Sequence, residues 1–479
     1  MSGSFRAPDS IQRPERFAWV AGYVVLGAAL LWSRLFHLGH SFWTDEILMV
    51  DTYVRAGPRY ILAGPDLSHE LFALANWLTS TLFGESETAF RLWSAIPFIA
   101  GVALVTAWLH TRVDVLSAML FLFLATVSPL LLDVTRQARG YGPAFCAVCV
   151  FVVAALEAGR SGRRAAVVAL CIAGVLGSWT LPQVGIAFVA TGAALLAARE
   201  TRRDVAIGLT LSVVAIVAWY SPHLGAVHGS AQIADGAHFD LPWVVTSPID
   251  QILLPALIWI DGTVIVTGFI WLPLVLVALL VVAWSPLLRD RVSALVLCSG
   301  PIATVVVLWI ANAYVIPRYL SYLLVPLFVL VATGAAAALR RGSERRATAT
   351  VLACLIVTGV LAARFVVLAP DVVALPREAN RDAAQVIAKR PAATLVLTHM
   401  RNPQNLEFYL GRSVRNLDPN AVATTVCGMA KPIYYVTQPF AVKDVAIPCV
   451  GRPGVEHTRF RQYARGDEMN VWYVPPDRG

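Results

Sequence analysis

Charge is scarce in this chain. Only 14% of its 479 residues are Asp, Glu, Lys or Arg, against 57% apolar, and its mean hydropathy is +0.66. That is too apolar for a soluble protein of this length. The apolar residues also gather in runs of roughly 17 to 24, which match the hydrocarbon thickness of a bilayer. Lysine is nearly absent: Lys389, Lys431 and Lys443 are the only ones, and all lie beyond residue 370. Beside so much alanine, the preference for Arg reads as GC-rich codon usage and carries no chemistry. The net charge of +8 therefore does not point to nucleic acid. Cysteine is sparse too. Of the seven, Cys146, Cys149, Cys171, Cys298 and Cys354 fall inside apolar runs, where Cys behaves as a small hydrophobe. The CxxC formed by Cys146 and Cys149 reads as packing for that reason. Cys427 and Cys449 lie in a polar region and can pair if that region is outside the cytoplasm.

What is present is a ladder of apolar segments: 17–36, 88–109, 114–132, 140–158, 164–180, 182–198, 204–221, 264–284, 292–312, 318–339 and 347–368. Residues 69–83 are apolar but short for a span and read as a re-entrant or interfacial helix. The first segment follows basic residues, lacks a small-residue cleavage site and is followed by Arg34, so it reads as a retained signal anchor. Arginines alternate with the spans. Arg6, Arg13, Arg16, Arg112, Arg160, Arg163, Arg164, Arg199, Arg202, Arg203, Arg289, Arg291, Arg340, Arg341, Arg345 and Arg346 fall in one set of connections, while the long loop 222–250 of the other set has no Arg or Lys. The positive-inside rule then puts the N-terminus in the cytoplasm and the region after 368 outside it. Counting 69–83 as a full span would turn the Arg-rich loops outward, against that rule.

The expected architecture is an α-helical polytopic membrane protein of about 11 transmembrane helices, located in the cell (plasma) membrane. Residues 1–368 form the membrane module, with a first external loop over 37–87. Residues 369–479 form a small extracytoplasmic α/β domain. In the latter, 393–399 and 432–438 read as strands, 403–411 as a short helix ending at Gly411, and 457–474 as a hairpin turning at Gly466-Asp467. No glycine-rich nucleotide loop and no metal-spaced His/Cys set occurs there.

The few charges outside the basic connections collect on one membrane face, at three distant points of the chain. "HSFWTDEILM" (40–49) holds Asp45 and Glu46, "DVTRQARGYG" (133–142) holds Arg136 and Arg139, and "AYVIPRYL" (313–320) holds Arg318. Charges at such depth usually line a cavity or a pathway. Thr44 is a candidate N-cap that places both acids in the first turn of an interfacial helix. Adjacent helical residues point about 100° apart, so the two carboxylates are not a facing dyad. One suits a general base, and the other a positioning group or a ligand for a divalent cation. Arg136 and Arg139, spaced i and i+3, are expected to share one helix face. Their forked donors, like that of Arg318, suit a phosphate, although headgroup-level snorkelling explains them too. Gln137, Tyr141, Tyr319 and His69 are further candidates for substrate binding. In loop 222–250, His223, His228, His238, Asp235 and Asp240 invite a metal reading, but their gaps match no compact ligand spacing.

Together, "FWTDE", "SPLLLDVTRQARGYG" and "PRYLSYLLVP" resemble the polyprenyl-phosphate-dependent glycosyltransferases of the GT-C fold. The pattern is similar to the protein O-mannosyltransferase and aminoarabinose transferase group (glycosyltransferase family 39-like) over residues 17–340. The resemblance implies transfer of a sugar from a polyprenyl-monophosphate donor to a hydroxyl of a cell-envelope acceptor, whether glycan, glycolipid or protein. It makes Asp45 the catalytic carboxylate, with Arg139 and Arg318 at the donor phosphate. Two departures stand out. Gln137 replaces the Glu of the family's "SQEAR", and Glu70 and Leu71 replace the prolines that follow the His matched by His69. Two other classes remain open: a transporter or flippase for a lipid-linked sugar, and a non-catalytic envelope scaffold.

Overall fold

The computed structural model describes residues 13–63, 69–223, 281–310, 317–341, 345–376, 378–389, 395–399, 403–416, 426–427, 431–437, 449, 452–462 and 468–476. Helix α1 (Arg13–Leu35) leads to a short α2 (Thr44–Met49), a π-helical turn (Val50–Val54) and α3 (Pro58–Ala63). Helix α4 (Glu70–Phe83) follows, then the long α5 (Glu87–Arg112). Next come α6 (Val115–Val127), α7 (Pro129–Val134), α8 (Tyr141–Ser161), α9 (Arg164–Thr180), α10 (Pro182–Leu195) and α11 (Arg202–Tyr220). After the gap in description come α12 (Arg291–Ile310), a 3₁₀ segment (Pro317–Leu323), α13 (Leu324–Arg340) and α14 (Arg345–Ala374).

Among the described residues, six helices are long and apolar enough to cross a membrane: Phe17–Leu35, Glu87–Arg112, Tyr141–Ser161, Arg202–Tyr220, Arg291–Leu308 and Arg318–Arg340. Val115–Val127, Arg164–Thr180 and Pro182–Leu195 are shorter apolar helices. The chain is a multi-span membrane protein. The expected span 264–284 falls almost wholly outside the described residues. The expected span 114–132 is two helices, because Ser128 caps a new start at Leu131 N (3.4 Å) and Pro129 at its first position has no N–H to continue α6. Residues 69–83 form a single short helix, as expected.

Capping explains where several helices begin. Ser86 accepts from Ala89 N at the head of α5, and Asp114 accepts from both Ser117 N and Ser117 Oγ at the head of α6. Gly162, at φ 66°, closes α8 in the left-handed conformation that glycine reaches without strain. The helices pack around a core that includes Phe98, Phe121, Phe145, Phe151 and Phe188, all essentially excluded from the surface. Gly142 sets the crossing of α5 and α8, since a Cβ there would lie 1.9 Å from the Ser94 carbonyl oxygen. That approach fixes where Tyr141 enters the site.

Beyond α14 the chain forms α15 (Asn380–Ala388), β1 (Leu395–His399), α16 (Gln404–Leu410), β2 (Arg415–Asn416), β3 (Ile433–Thr437), β4 (Glu456–Arg461) and β5 (Glu468–Val474). The sheet order is β2-β1-β3-β5-β4, with β1 parallel to both neighbours and β5 antiparallel to both of its own. The two strands, the hairpin strands and the helix stopped by Gly411 (φ 63°) agree with the sequence reading. The hairpin's turn at Gly466-Asp467 lies outside the described residues. Cys427 and Cys449 are disulfide-bonded, and Cys146 and Cys149 are free thiols within α8.

Candidate active site

Three distant segments converge around Asp45. Its Oδ2 forms an ion pair with Arg318 Nη2 at 2.5 Å, and its backbone carbonyl accepts from Arg139 Nη1 at 3.1 Å. Arg318 leans over the Trp43 ring, 5.2 Å from its centroid, and over Tyr319 at 5.9 Å. The pair is not sealed: the side chains of Asp45 and Arg318 keep 22% and 15% of their exposure, enough to meet a substrate.

Glu46 behaves differently from its neighbour. Its side chain is wholly buried, and Arg91 grips it with Nε to Oε1 (2.9 Å) and Nη2 to Oε2 (2.6 Å). The Ala138 amide donates to Oε1 at 2.5 Å and the Trp43 amide to Oε2 at 3.1 Å. The rest of the Arg91 fork goes to the carbonyls of Leu38, His40 and Ser41. A carboxylate saturated in this way ties the first loop to the α7–α8 turn. It faces a guanidinium, so of the two roles left open for it the donor set suits a positioning group and not a ligand for a cation. No group of three or more His, Cys, Asp or Glu able to hold a metal occurs among the described residues.

The helix carrying these acids begins one residue earlier than expected. Trp43 is the N-cap, Thr44 the first helical residue, and the Glu46 carboxylate turns back to the Trp43 amide. A side-chain cap at Thr44 is therefore replaced by a carboxylate three residues after the cap. The pair Arg136 and Arg139 is also corrected. Residues 135–140 form a tight turn, with Arg139 N bonded to Gln137 O at 2.8 Å, so the two side chains do not share a helix face. Arg136 donates to the carbonyls of Ser33 (2.8 Å) and His37 (3.3 Å) at and just past the end of α1.

His69 heads α4 in the left-handed conformation, φ 67°, which costs a non-glycine residue about 1 kcal/mol. Its ring is buried edge-on to Tyr141 (4.9 Å, 83°) and beside the Thr180 backbone, and neither nitrogen makes a well-formed hydrogen bond among the described residues. Gly140 permits this approach, since a Cβ there would lie 2.6 Å from Nδ1. Burial, reinforced by the charges of Arg139 and Arg318, holds the imidazole well below its usual pKa and keeps it neutral. Tyr141 reaches Tyr319 (ring centroids 6.1 Å apart), and its buried hydroxyl has no hydrogen-bond partner among the described residues. Gln137 likewise has an amide without a partner among the described residues and lines, with His40, Trp43, Glu46, Arg91 and Arg136, a polar cavity of about 20 Å³ with room for a single water. Asp45, Arg139, Arg318, His69, Tyr141 and Tyr319 thus form one cluster, with Glu46, Gln137 and Arg136 behind it around the small cavity. His228, His238, Asp235 and Asp240 lie outside the described residues.

No protein-family model and no curated protein sequence matches the chain. Solved structures do. ArnT from Cupriavidus metallidurans, in the apo state, superposes with a TM-score of 0.51 at 13% identity, covering 95% of this chain and 98% of that one. The same protein bound to undecaprenyl phosphate gives 0.51 at 14% identity, with the same coverage. The archaeal oligosaccharyltransferase AglB from Archaeoglobus fulgidus, in complex with an inhibitory peptide and a dolichol-phosphate, gives 0.51 at 11% identity over 88% of this chain and 70% of that one. The chain has the GT-C fold. Within it, sequence reasoning missed Arg91 and Glu378. Arg91 sits in the second turn of an apolar spanning helix, which is a signal by itself, since a charge in a span needs a partner. Glu378 lies in a polar stretch that offers no such signal.

Proposed function

We propose that this protein is a membrane glycosyltransferase, moving a sugar from a polyprenyl-monophosphate carrier to a hydroxyl of a cell-envelope acceptor on the outer face of the membrane. One observation carries the reading: a partly exposed carboxylate, Asp45, is paired with the Arg318 guanidinium while Arg139 holds its backbone carbonyl, in a fold shared with a protein solved bound to undecaprenyl phosphate. The arginine-poor connections and the Cys427–Cys449 bond support an outward face for the site and an extracytoplasmic region after residue 368.

The chemistry follows from the charges. The acceptor oxygen attacks the anomeric carbon as the bond from that carbon to the phosphate oxygen breaks, and the bonding pair leaves with the phosphate. Asp45 takes the acceptor's proton as general base. Arg318 and Arg139 stabilise the growing negative charge on the leaving phosphate, where fixed cations are worth most. Glu46 acts by holding the loop rather than by touching substrate. Neutral His69, Tyr141 and Tyr319 supply hydrogen-bonding groups to the sugar or the acceptor.

The test uses membranes from cells expressing wild type or Asp45→Asn, supplied with a panel of radiolabelled polyprenyl-phosphate sugars. Label is followed into lipid, protein and polysaccharide. Transfer of one sugar by wild type, reduced at least about 100-fold in the variant at equal protein level, is the expected outcome. Transfer that survives the substitution removes Asp45 from the chemistry. No transfer from any donor returns the chain to the transporter or scaffold classes.

A further inference from the structure

The residues just ahead of Asp45 are held by a part of the chain 333 to 367 positions away. His40 Nε2 meets the Val373 carbonyl at 2.9 Å, and the Ser41 hydroxyl donates to the Glu378 carbonyl. The Phe42 amide donates to the Tyr409 hydroxyl at 2.6 Å. Thr44 Oγ1 donates to the Glu378 carboxylate at 3.1 Å. That carboxylate also receives the side-chain amides of Asn380 and Asn405, each at 2.9 Å. Asn405 lies 2.7 Å from Thr44 Oγ1 as well, so the hydroxyl is both donor and acceptor. Asn380 and Asn405 are buried, and buried polar networks of this kind fix geometry because a broken member is costly.

The placement matters because α2 and the π-helical turn that continues it span only residues 44–54, too short a helix to hold a direction by itself. Thr44 is anchored to Glu378 on one side of Asp45, and Glu46 to Arg91 on the other. Asp45, between two fixed neighbours, keeps its carboxylate for Arg318 and the substrate. We infer that Glu378 is a positioning residue for the chemistry at Asp45, acting through Thr44 and Asn405, so that the C-terminal α/β segment completes the active site. The inference rests on the reading of Asp45 as the reacting carboxylate. An accessory platform would have no need to bind the backbone and side chains of the catalytic loop in register.

The experiment has two arms on purified protein: steady-state sugar transfer and hydrogen–deuterium exchange over residues 40–49. Thr44→Val removes only the hydroxyl, Thr44→Ser restores it, and Glu378→Ala removes the shared acceptor. Faster exchange over 40–49 is expected in Thr44→Val and Glu378→Ala, with kcat lower by about 10- to 100-fold and the donor KM within about twofold of wild type. Thr44→Ser is expected to be close to wild type in both arms. Unchanged exchange overturns the inference, as does unchanged kcat, or a loss in Thr44→Ser equal to that in Thr44→Val. If wild type itself transfers no sugar, the proposed function fails, and the exchange arm still decides whether Glu378 holds the loop.

Discussion

The Asp45 carboxylate and the Arg318 guanidinium meet at 2.5 Å although 273 residues separate them in the chain. In the proposed reaction the donor phosphate competes for the same guanidinium. In that reaction donor binding turns Arg318 toward the phosphate and leaves the Asp45 carboxylate open to the acceptor hydroxyl. Removing Arg318 should harm the reaction in two ways at once. Arg318→Ala is expected to raise donor KM and to lower kcat, for a combined loss in kcat/KM of about 100- to 1000-fold. Arg318→Lys keeps the charge but not the fork and should recover only part of it. Steady-state kinetics with a defined donor checks this, and an unchanged donor KM in Arg318→Ala would detach the residue from the phosphate.

The Arg91–Glu46 pair gives a prediction about stability. Both side chains are buried, at 7% and 0% exposure, and together they bond five backbone groups and one another. Removing one partner strands the other charge in a medium that cannot solvate it. Arg91→Met should therefore cost about 3–5 kcal/mol, seen as a large fall in the unfolding temperature of detergent-solubilised protein. The double variant Arg91→Met/Glu46→Leu should cost less than the two single losses combined, because no charge is left unpaired.

The helices were legible from the sequence because each depends on a local apolar run and local caps. Four strands of the C-terminal sheet, β1, β3, β4 and β5, were legible for a similar reason, through their β-branched and aromatic residues, and α16 through Gly411 at its end. The site was legible only in outline. Asp45, Arg139 and Arg318 stood out because a charge near lipid needs a reason, and the structure brings those three together. Their neighbours did not separate by the same logic. Asp45 and Glu46 look alike in sequence, yet one meets the opening and the other is locked by Arg91, a distinction made by a helix 45 residues downstream. Arg136 parted from Arg139 because the turn at 135–140 breaks the helical spacing on which their pairing depended. Glu378 was invisible, since its importance comes from a tertiary contact with Thr44 and not from its own surroundings.

The disulfide offers a check on orientation that needs no activity. Cys427 and Cys449 close a loop with a sequence separation of 22. Loop closure of that length restricts the unfolded chain by about 3 kcal/mol. In intact membranes these two thiols should resist a maleimide until a reductant is added, and Cys427→Ser should leave Cys449 open to a membrane-impermeant reagent from outside. Labelling of both thiols before reduction would put the C-terminal region in a reducing compartment and reverse the proposed orientation.

His69 makes stability depend on pH in a direction that can be worked out. Burial and the nearby Arg139 and Arg318 hold its folded-state pKa well below the ordinary value, so the folded protein keeps the ring neutral. The unfolded chain takes up a proton near pH 6.5. Above that value both states carry a neutral ring, and the folded arrangement is fully stable. Below it the unfolded state binds more protons than the folded one, and stability falls toward the lowered folded-state pKa, by up to about 1.4 kcal/mol per pH unit for one such group. His40 is depressed chiefly by burial as well and adds a loss of the same sign. The unfolding temperature should thus drop between pH 7 and pH 5, and His69→Gln, which has no proton to gain, should drop less steeply. A variant with the same slope as wild type would mean that the ring is already protonated when folded. The activity profile should then also show a limb from His69 near neutral pH, which a neutral, buried imidazole does not produce.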